Sequence, residues 1–480
     1  MLSALHVLSA IVLAPTLDSF FMDPARFIAG VYAQGGVKIP IQRISKPQKK
    51  TPAHILSSNV SVANSHEFAY LASVQVGGQD FLALLDTGSS DLWVVTSDCT
   101  LQDCSGVPKY TPSSSLNLMA DVPFNLNYLM GSVSGTVATE TVTLGPFQIS
   151  SQVLGLANGT SGLGLTGTGN SGILGLSFPL EAAIPDTAGM TLLDNVLSTF
   201  DEGSRFFAFK LGRDQISSSF TIGQVDTAFA NDTSEFTFTP VDPASGTLSK
   251  NERYYDYWKI PIQKMTINGT AFELSPSRVA GAKSPIAVMD TGTTLVLGPS
   301  ADVDRFYTSI GGTRKMDDMQ GGQWQIRCDR AAAVGFVLGE GEGAREYGID
   351  PMDLAWVEGG REGDWCTGGV QANDGVSSGD WLLGDTFLRN VYAIHQVATG
   401  SNPPRIGLMH TTNMTAALEE FTRERGPDPT PPAPILSAAP SAPHTLGTAA
   451  IWGISGASGY VFGLCLALLI SYCVAKRSKK

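Results

Sequence analysis

Between Phe81 and Val95 the chain reads FLALLDTGSSDLWVV, an apolar run that drives into Asp86 and resumes at Leu92. A carboxylate set between two hydrophobic strands is costly to bury, and it needs partners to stay there. The turn Thr87-Gly88-Ser89-Ser90 offers them: hydroxyls to hold the carboxylate oxygens and a glycine that admits close backbone approach. Alone, Asp-Thr-Gly is an ordinary turn tripeptide, and a β-turn between two core strands accounts for it equally well. Roughly 200 residues later the pattern returns, a spacing too long for solenoid repeats and suited to two related lobes. Ser284 to Gly298, SPIAVMDTGTTLVLG, repeats the order of apolar strand, Asp290-Thr291-Gly292-Thr293-Thr294 and apolar strand. Each copy is followed downstream by two aliphatics and a glycine, Ile173-Leu174-Gly175 and Leu382-Leu383-Gly384.

With 480 residues, 43% of them hydrophobic and 16% charged, the chain can build a large core in two or more domains. Short Val, Ile, Leu, Phe and Thr runs broken by Gly, Ser, Asn and Asp predict mainly β structure. The six His residues are scattered and no Cys or His cluster has ligand spacing, so neither a metal site nor a His-based triad is expected. The Gly- and Thr-rich stretch Leu154 to Gly169 lacks the Lys-Ser/Thr that a phosphate-binding loop needs. Between His66 and Leu418 acidic residues outnumber basic ones two to one, which disfavours nucleic acid and suits an acidic compartment. Cys99 with Cys104, and Cys328 with Cys366, read as two disulfides of a secreted β-rich region.

The paired motifs resemble those of the pepsin-like family of bilobal aspartic endopeptidases, and the likeness runs from about Phe68 to Met409. The resemblance implies a mainly β, bilobal acid-protease fold, with the active site between two related lobes at 66–214 and 215–412. It makes Asp86 and Asp290 the catalytic pair, with Thr87 and Thr291 knitting the two loops together. Ser89 and Thr293 would bond the outer carboxylate oxygens, and Gly88 and Gly292 would permit the close packing. Two like charges about 3 Å apart share one proton, so one member acts as base towards a water and the other as acid towards the peptide carbonyl. No metal or organic cofactor is required. The implied substrates are proteins or extended peptides, cut at acid pH between hydrophobic residues by a catalytic unit expected to be monomeric.

Phe124 to Thr143 reads as a β-hairpin with Gly131 and Gly135 at its turn. In the family this hairpin is the flap that closes over substrate, its tyrosine, here Tyr128, bonded to a tryptophan matching Trp93. Leu129-Met130 stands at the tip in place of the family's smaller residues. Leu163 and Leu165 are the apolar candidates for the pocket before the cleaved bond, and Tyr257 matches a position near the pocket after it. His395 replaces an expected aromatic-Asp ending, read as structural variation. Two other classes fit less well: a binding protein that kept the fold and lost catalysis, and a carbohydrate-active β protein, whose carboxylates would stand about 5–9 Å apart.

The flanks carry processing signals. Residues 1–33 read as a signal peptide, and the basic segment 34–65 as a propeptide laid across the acidic cleft. Residues 413–448 read as a Pro-, Ser- and Thr-rich stalk. Residues 449–475 read as a transmembrane helix, preferred over a glycolipid-anchor signal, and 476–480 as a basic cytosolic tail. Sequons at Asn59, Asn158, Asn231, Asn268 and Asn413 fit a glycosylated outer surface. Together these segments resemble a fungal-type, membrane-anchored member on the secretory route, its catalytic domain facing the cell exterior or a vacuolar lumen.

Overall fold

The protein's structure is a computed structural model, which describes residues 35–45, 68–214, 217–244, 254–316, 322–400 and 402–428. The expected signal peptide, transmembrane helix and cytosolic tail lie outside the described residues, as do Asn59 and most of the expected propeptide and stalk. Among the described residues no helix is long and apolar enough to cross a membrane.

Each Asp-Thr-Gly copy stands at the buried end of a strand. Along Gln79–Asp86, Asp80 faces solvent while every residue from Ala83 to Asp86 is buried, and Ile286–Met289 is buried throughout. Both strands then receive the same neighbours. Gly172–Gly175 pairs in parallel with Gln79–Asp86 and antiparallel with Leu92–Val95. Trp381–Leu383 does the same between Ile286–Met289 and Val296–Gly298. The repeated aliphatic-aliphatic-Gly triplets are therefore the strands threaded between the two halves of each motif. An eight-stranded sheet forms the first lobe and closes on itself where Phe68–Val76 also meets Ser132–Leu144. A second eight-stranded sheet forms the other lobe.

A six-stranded sheet joins them, with Phe206–Lys210 and Ser219–Ile222 from the first lobe side against Val391–Gln396 and Arg405–His410 from the second. Aromatic side chains fill its inner face: Phe207 packs edge-on to Phe220 and Trp258, and Phe209 stacks on Phe220. The result is mainly β, in two related lobes.

Three expectations change. Val37–Ile39 and Ile41–Ser45 do not cross the cleft; they add strands to Ser219–Ile222 and Phe68–Val76. Lys38 bonds Asp226 at 2.6 Å and the Arg43 guanidinium donates to the Arg213 carbonyl, because alternation buries Ile39 and Arg43 against the sheets. The stalk does not begin at Asn413. Asn413 instead caps the helix Met414–Arg425, accepting from the Ala416 amide, and buries Ala417 and Phe421 at i, i+4 spacing. Gly135 lies inside Ser132–Leu144 rather than at the hairpin turn, at an irregularity where a Cβ would stand 2.0 Å from the Leu156 carbonyl oxygen.

Candidate active site

At the base of the cleft between the lobes the two Asp-Thr-Gly loops meet in near two-fold symmetry. The Thr87 hydroxyl donates to the Met289 carbonyl at 2.8 Å and accepts from the Thr291 amide at 3.0 Å. Reciprocally, the Thr291 hydroxyl donates to the Leu85 carbonyl at 2.8 Å and accepts from the Thr87 amide at 3.1 Å. Each carboxylate takes the same pair of donors. Asp86 accepts from the Gly88 amide at 2.8 Å and the Ser89 hydroxyl at 2.5 Å. Asp290 accepts from the Gly292 amide at 2.8 Å and the Thr293 hydroxyl at 2.5 Å.

The glycines admit the opposing acid. A Cβ on Gly88 would lie 2.7 Å from Asp290 Oδ1, and one on Gly292 would lie 2.3 Å from Asp86 Oδ1. Both carboxyls are buried, at 5% and 7% exposure. Burial, followed by the Asp290 charge, raises the Asp86 carboxyl to about 7, and burial raises Asp290 as well. Two acids so close cannot both ionise readily, so the pair retains a proton far into the range where lone carboxylates have lost theirs.

The hairpin Asn117–Asn127 and Ser132–Leu144 arches over this pair. Its tip closes with the Tyr128 amide on the Gly131 carbonyl, and Gly131 takes φ 86°, open to glycine and strained for other residues. The Trp93 indole donates to the Tyr128 hydroxyl at 2.8 Å. Tyr128, Leu129 and Met130 all line the cleft, and Leu129 is 48% exposed. Leu163 and Leu165 line its apolar end beside Ile173, and Tyr257 enters from the second lobe. The two disulfides form Cys99–Cys104 and Cys328–Cys366. Of the sequons, Asn158, Asn231, Asn268 and Asn413 are exposed. Among the described residues no group of His, Cys, Asp and Glu has the form of a metal site.

Several positioning residues escaped sequence reasoning. Asp91 accepts from the Ala183 and Ile184 amides and so fixes the segment that follows Gly175. Asp103, inside the Cys99–Cys104 loop, accepts from the Leu163 and Gly164 amides and holds the apolar pocket wall. Behind Asp290, the Asp385 amide donates to the Thr293 carbonyl at 2.9 Å. Glu181 lines the cleft and accepts from the Tyr257 hydroxyl at 2.9 Å. Their partners lie far away in sequence, and the signals were the position of Asp91 in the first motif and of Asp385 directly after Leu382-Leu383-Gly384, in a segment resembling the family's last lobe segment.

A sequence model of the eukaryotic aspartyl protease family matches residues 69–408. The chain belongs to that family. It is 30% identical to the "Major aspartyl peptidase 1" of Cryptococcus neoformans var. grubii serotype A, over 71% of this chain and 68% of that protein. It is 30% identical to an "Aspartic protease" of Phaffia rhodozyma, over 76% of this chain and 80% of the relative. Chymosin of Camelus dromedarius is 28% identical over 71% of this chain and 80% of its own length. The chain is thus an aspartic endopeptidase, a hydrolase acting on peptide bonds in proteins.

Proposed function

We propose that Asp86 and Asp290 are the catalytic pair of an endopeptidase that works in an acidic compartment while tethered to a membrane. One observation carries the assignment: two buried carboxylates face each other, each with its own amide and hydroxyl donor. The hydroxyls hold one oxygen of each carboxylate and the amides hold the other, which faces the opposing loop where the pair shares its proton. The ionised member takes a proton from a water held between them, and the water oxygen attacks the peptide carbonyl carbon. The protonated member donates to the carbonyl oxygen, and a proton passes to the leaving nitrogen as the C–N bond breaks. Tyr128, held by Trp93, closes the cleft from above, and Leu129, Leu163 and Leu165 give it apolar walls for hydrophobic substrate side chains.

The tether rests on the uncharged apolar run 449–475 and the basic residues 476–480. The basic residues of 34–65 support a removable propeptide, and the exposed Asn158, Asn231, Asn268 and Asn413 support glycosylation in the secretory route. The test is cleavage of an unbiased peptide mixture by the detergent-solubilised full chain from about pH 3 to pH 7. Acid-dependent cleavage blocked by a statine-type inhibitor is expected. A folded, processed chain that binds the inhibitor and cuts nothing would instead support the binding-protein reading.

A further inference from the structure

Apart from Asp86 and Asp290, Glu181 is the single charged residue lining the cleft among the described residues. No Lys, Arg or His lines it, and no ion pair to Glu181 occurs among the described residues. We propose that Glu181, positioned by Tyr257, forms a cation subsite that selects a Lys or Arg side chain of the substrate. This rests on the endopeptidase reading above and adds to it a preference the apolar walls do not supply.

The backbone beneath Glu181 is fixed from both directions. It ends the short turn Pro179–Glu181, which follows directly on the strand framing Asp86. Before it, the Phe178 carbonyl accepts from the Ser90 hydroxyl at 2.6 Å, and the Phe178 ring packs 4.3 Å from that of Trp258. After it, the Ala183 and Ile184 amides donate to Asp91. The Glu181 side chain is exposed, and its Oε2 accepts the Tyr257 hydroxyl across the interlobe cleft. One neutral donor leaves the carboxylate charge uncompensated and most of its acceptor capacity open. A carboxylate held in place at a cleft edge, with no protein cation near it, favours a cationic side chain over a neutral or acidic one. The uncompensated charge of the dyad adds to the same field.

The same cleft also has an apolar wall of Leu163, Leu165 and Ile173. The cleft therefore asks for two different side chains in one substrate: a hydrophobic residue against the leucine wall and a basic one against Glu181.

The experiment uses the processed full chain and matched peptide pairs, identical except for Lys or Gln at successive positions around one cleavage site. The parent enzyme is expected to show, at one position near the cleavage site, a kcat/KM ratio of about 5 in favour of Lys, the size of an exposed charge pair. The ratio should fall towards 1 as salt rises. Glu181→Gln should bring it near 1 at low salt, and Glu181→Lys should reverse it, so that a Glu-bearing peptide outruns its Lys twin. Tyr257→Phe should lower the ratio without reversing it. Each ratio is taken within one enzyme, so a general loss of activity does not mimic the effect. Cleavage with no Lys preference in the parent, or a preference that survives Glu181→Gln, overturns the subsite alone. No cleavage of any peptide overturns the endopeptidase reading and the subsite with it.

Discussion

Two buried titratable centres lie within the interlobe region, and they are built in opposite ways. At the dyad every carboxylate has assigned donors, and the loops that carry them exchange four hydrogen bonds. At His395, in the six-stranded sheet, the imidazole is fully buried and neither ring nitrogen has a hydrogen-bond partner among the described residues. Its ring stacks on Phe207 at 4.8 Å and meets Trp258 edge-on at 5.0 Å. Burial moves the two groups in opposite directions along the pH scale. It raises the dyad carboxyls, which keeps a proton available for chemistry, and it lowers His395 to about 3, which keeps the ring uncharged. Polar groups with full sets of partners make a reactive site; one without them behaves as another aromatic of the core.

The largest effect should come from breaking the dyad. Asp86→Asn and Asp290→Asn should each lower kcat/KM by at least ~10³-fold, because each removes either the base or the acid. The losses should match, as the two loops do, and an active single variant would remove the pair from the mechanism. The same variants test the proton. The Asp86 carboxyl, raised from 3.8 to about 7, costs the fold almost nothing below about pH 3, where folded and unfolded chains are both protonated. The cost appears as pH rises towards 7, since the unfolded chain releases a proton that the folded one retains. Asp86→Asn should therefore melt with the parent near pH 3 and several degrees above it near pH 7. Equal melting temperatures at both values would mean that the buried pair carries no retained proton.

How much of this was legible in the sequence depended on where the partners come from. The dyad, its threonines and its glycines were legible because each donor lies within three residues of its acid and the motif occurs twice. Asp91, Asp103 and Glu181 were not, because an isolated acid gives no local sign of which distant amide or hydroxyl it will meet. The helix Met414–Arg425 was hidden by composition: only Ala417 and Phe421 are buried, too thin an apolar stripe beside the Pro-rich run that follows. Gly135 read as a turn residue, whereas its role is close approach to a neighbouring strand, which only the sheet register reveals.

His395 supplies the next prediction, and its sign is the reverse of the dyad's. Its folded pKa lies below the ordinary 6.5, so the unfolded chain binds a proton that the folded chain refuses between about 6.5 and 3. At pH 4 the resulting penalty is about 3 kcal/mol, and at pH 7 it has almost vanished. His395→Phe keeps a planar ring against Phe207 and removes the titration. Denaturant unfolding should show the variant more stable than the parent near pH 4, with the difference shrinking as pH rises to 7. A difference that does not change with pH would mean that the ring gains its proton without leaving the core.

Tyr128 stands between these cases, its hydroxyl accepting from the Trp93 indole and also hydrogen-bonded with Ser89. Burial, followed by the nearby Asp86 charge, raises its pKa far above the working range, so it serves as a neutral acceptor throughout. Tyr128→Phe removes that acceptor and leaves the Trp93 N–H unpaired, a loss of about 1 kcal/mol or roughly 5-fold in kcat/KM. The hairpin tip keeps its own closure through the Tyr128 amide and the Gly131 carbonyl, so melting temperature should move little. Trp93→Phe alone should cost activity too, and adding Tyr128→Phe to it should cost less than it does in the parent, since the indole–phenol bond is already gone and only the Ser89 contact remains to be lost. Additive losses would show that the two side chains act separately, with the indole–phenol bond incidental to holding the hairpin over the dyad.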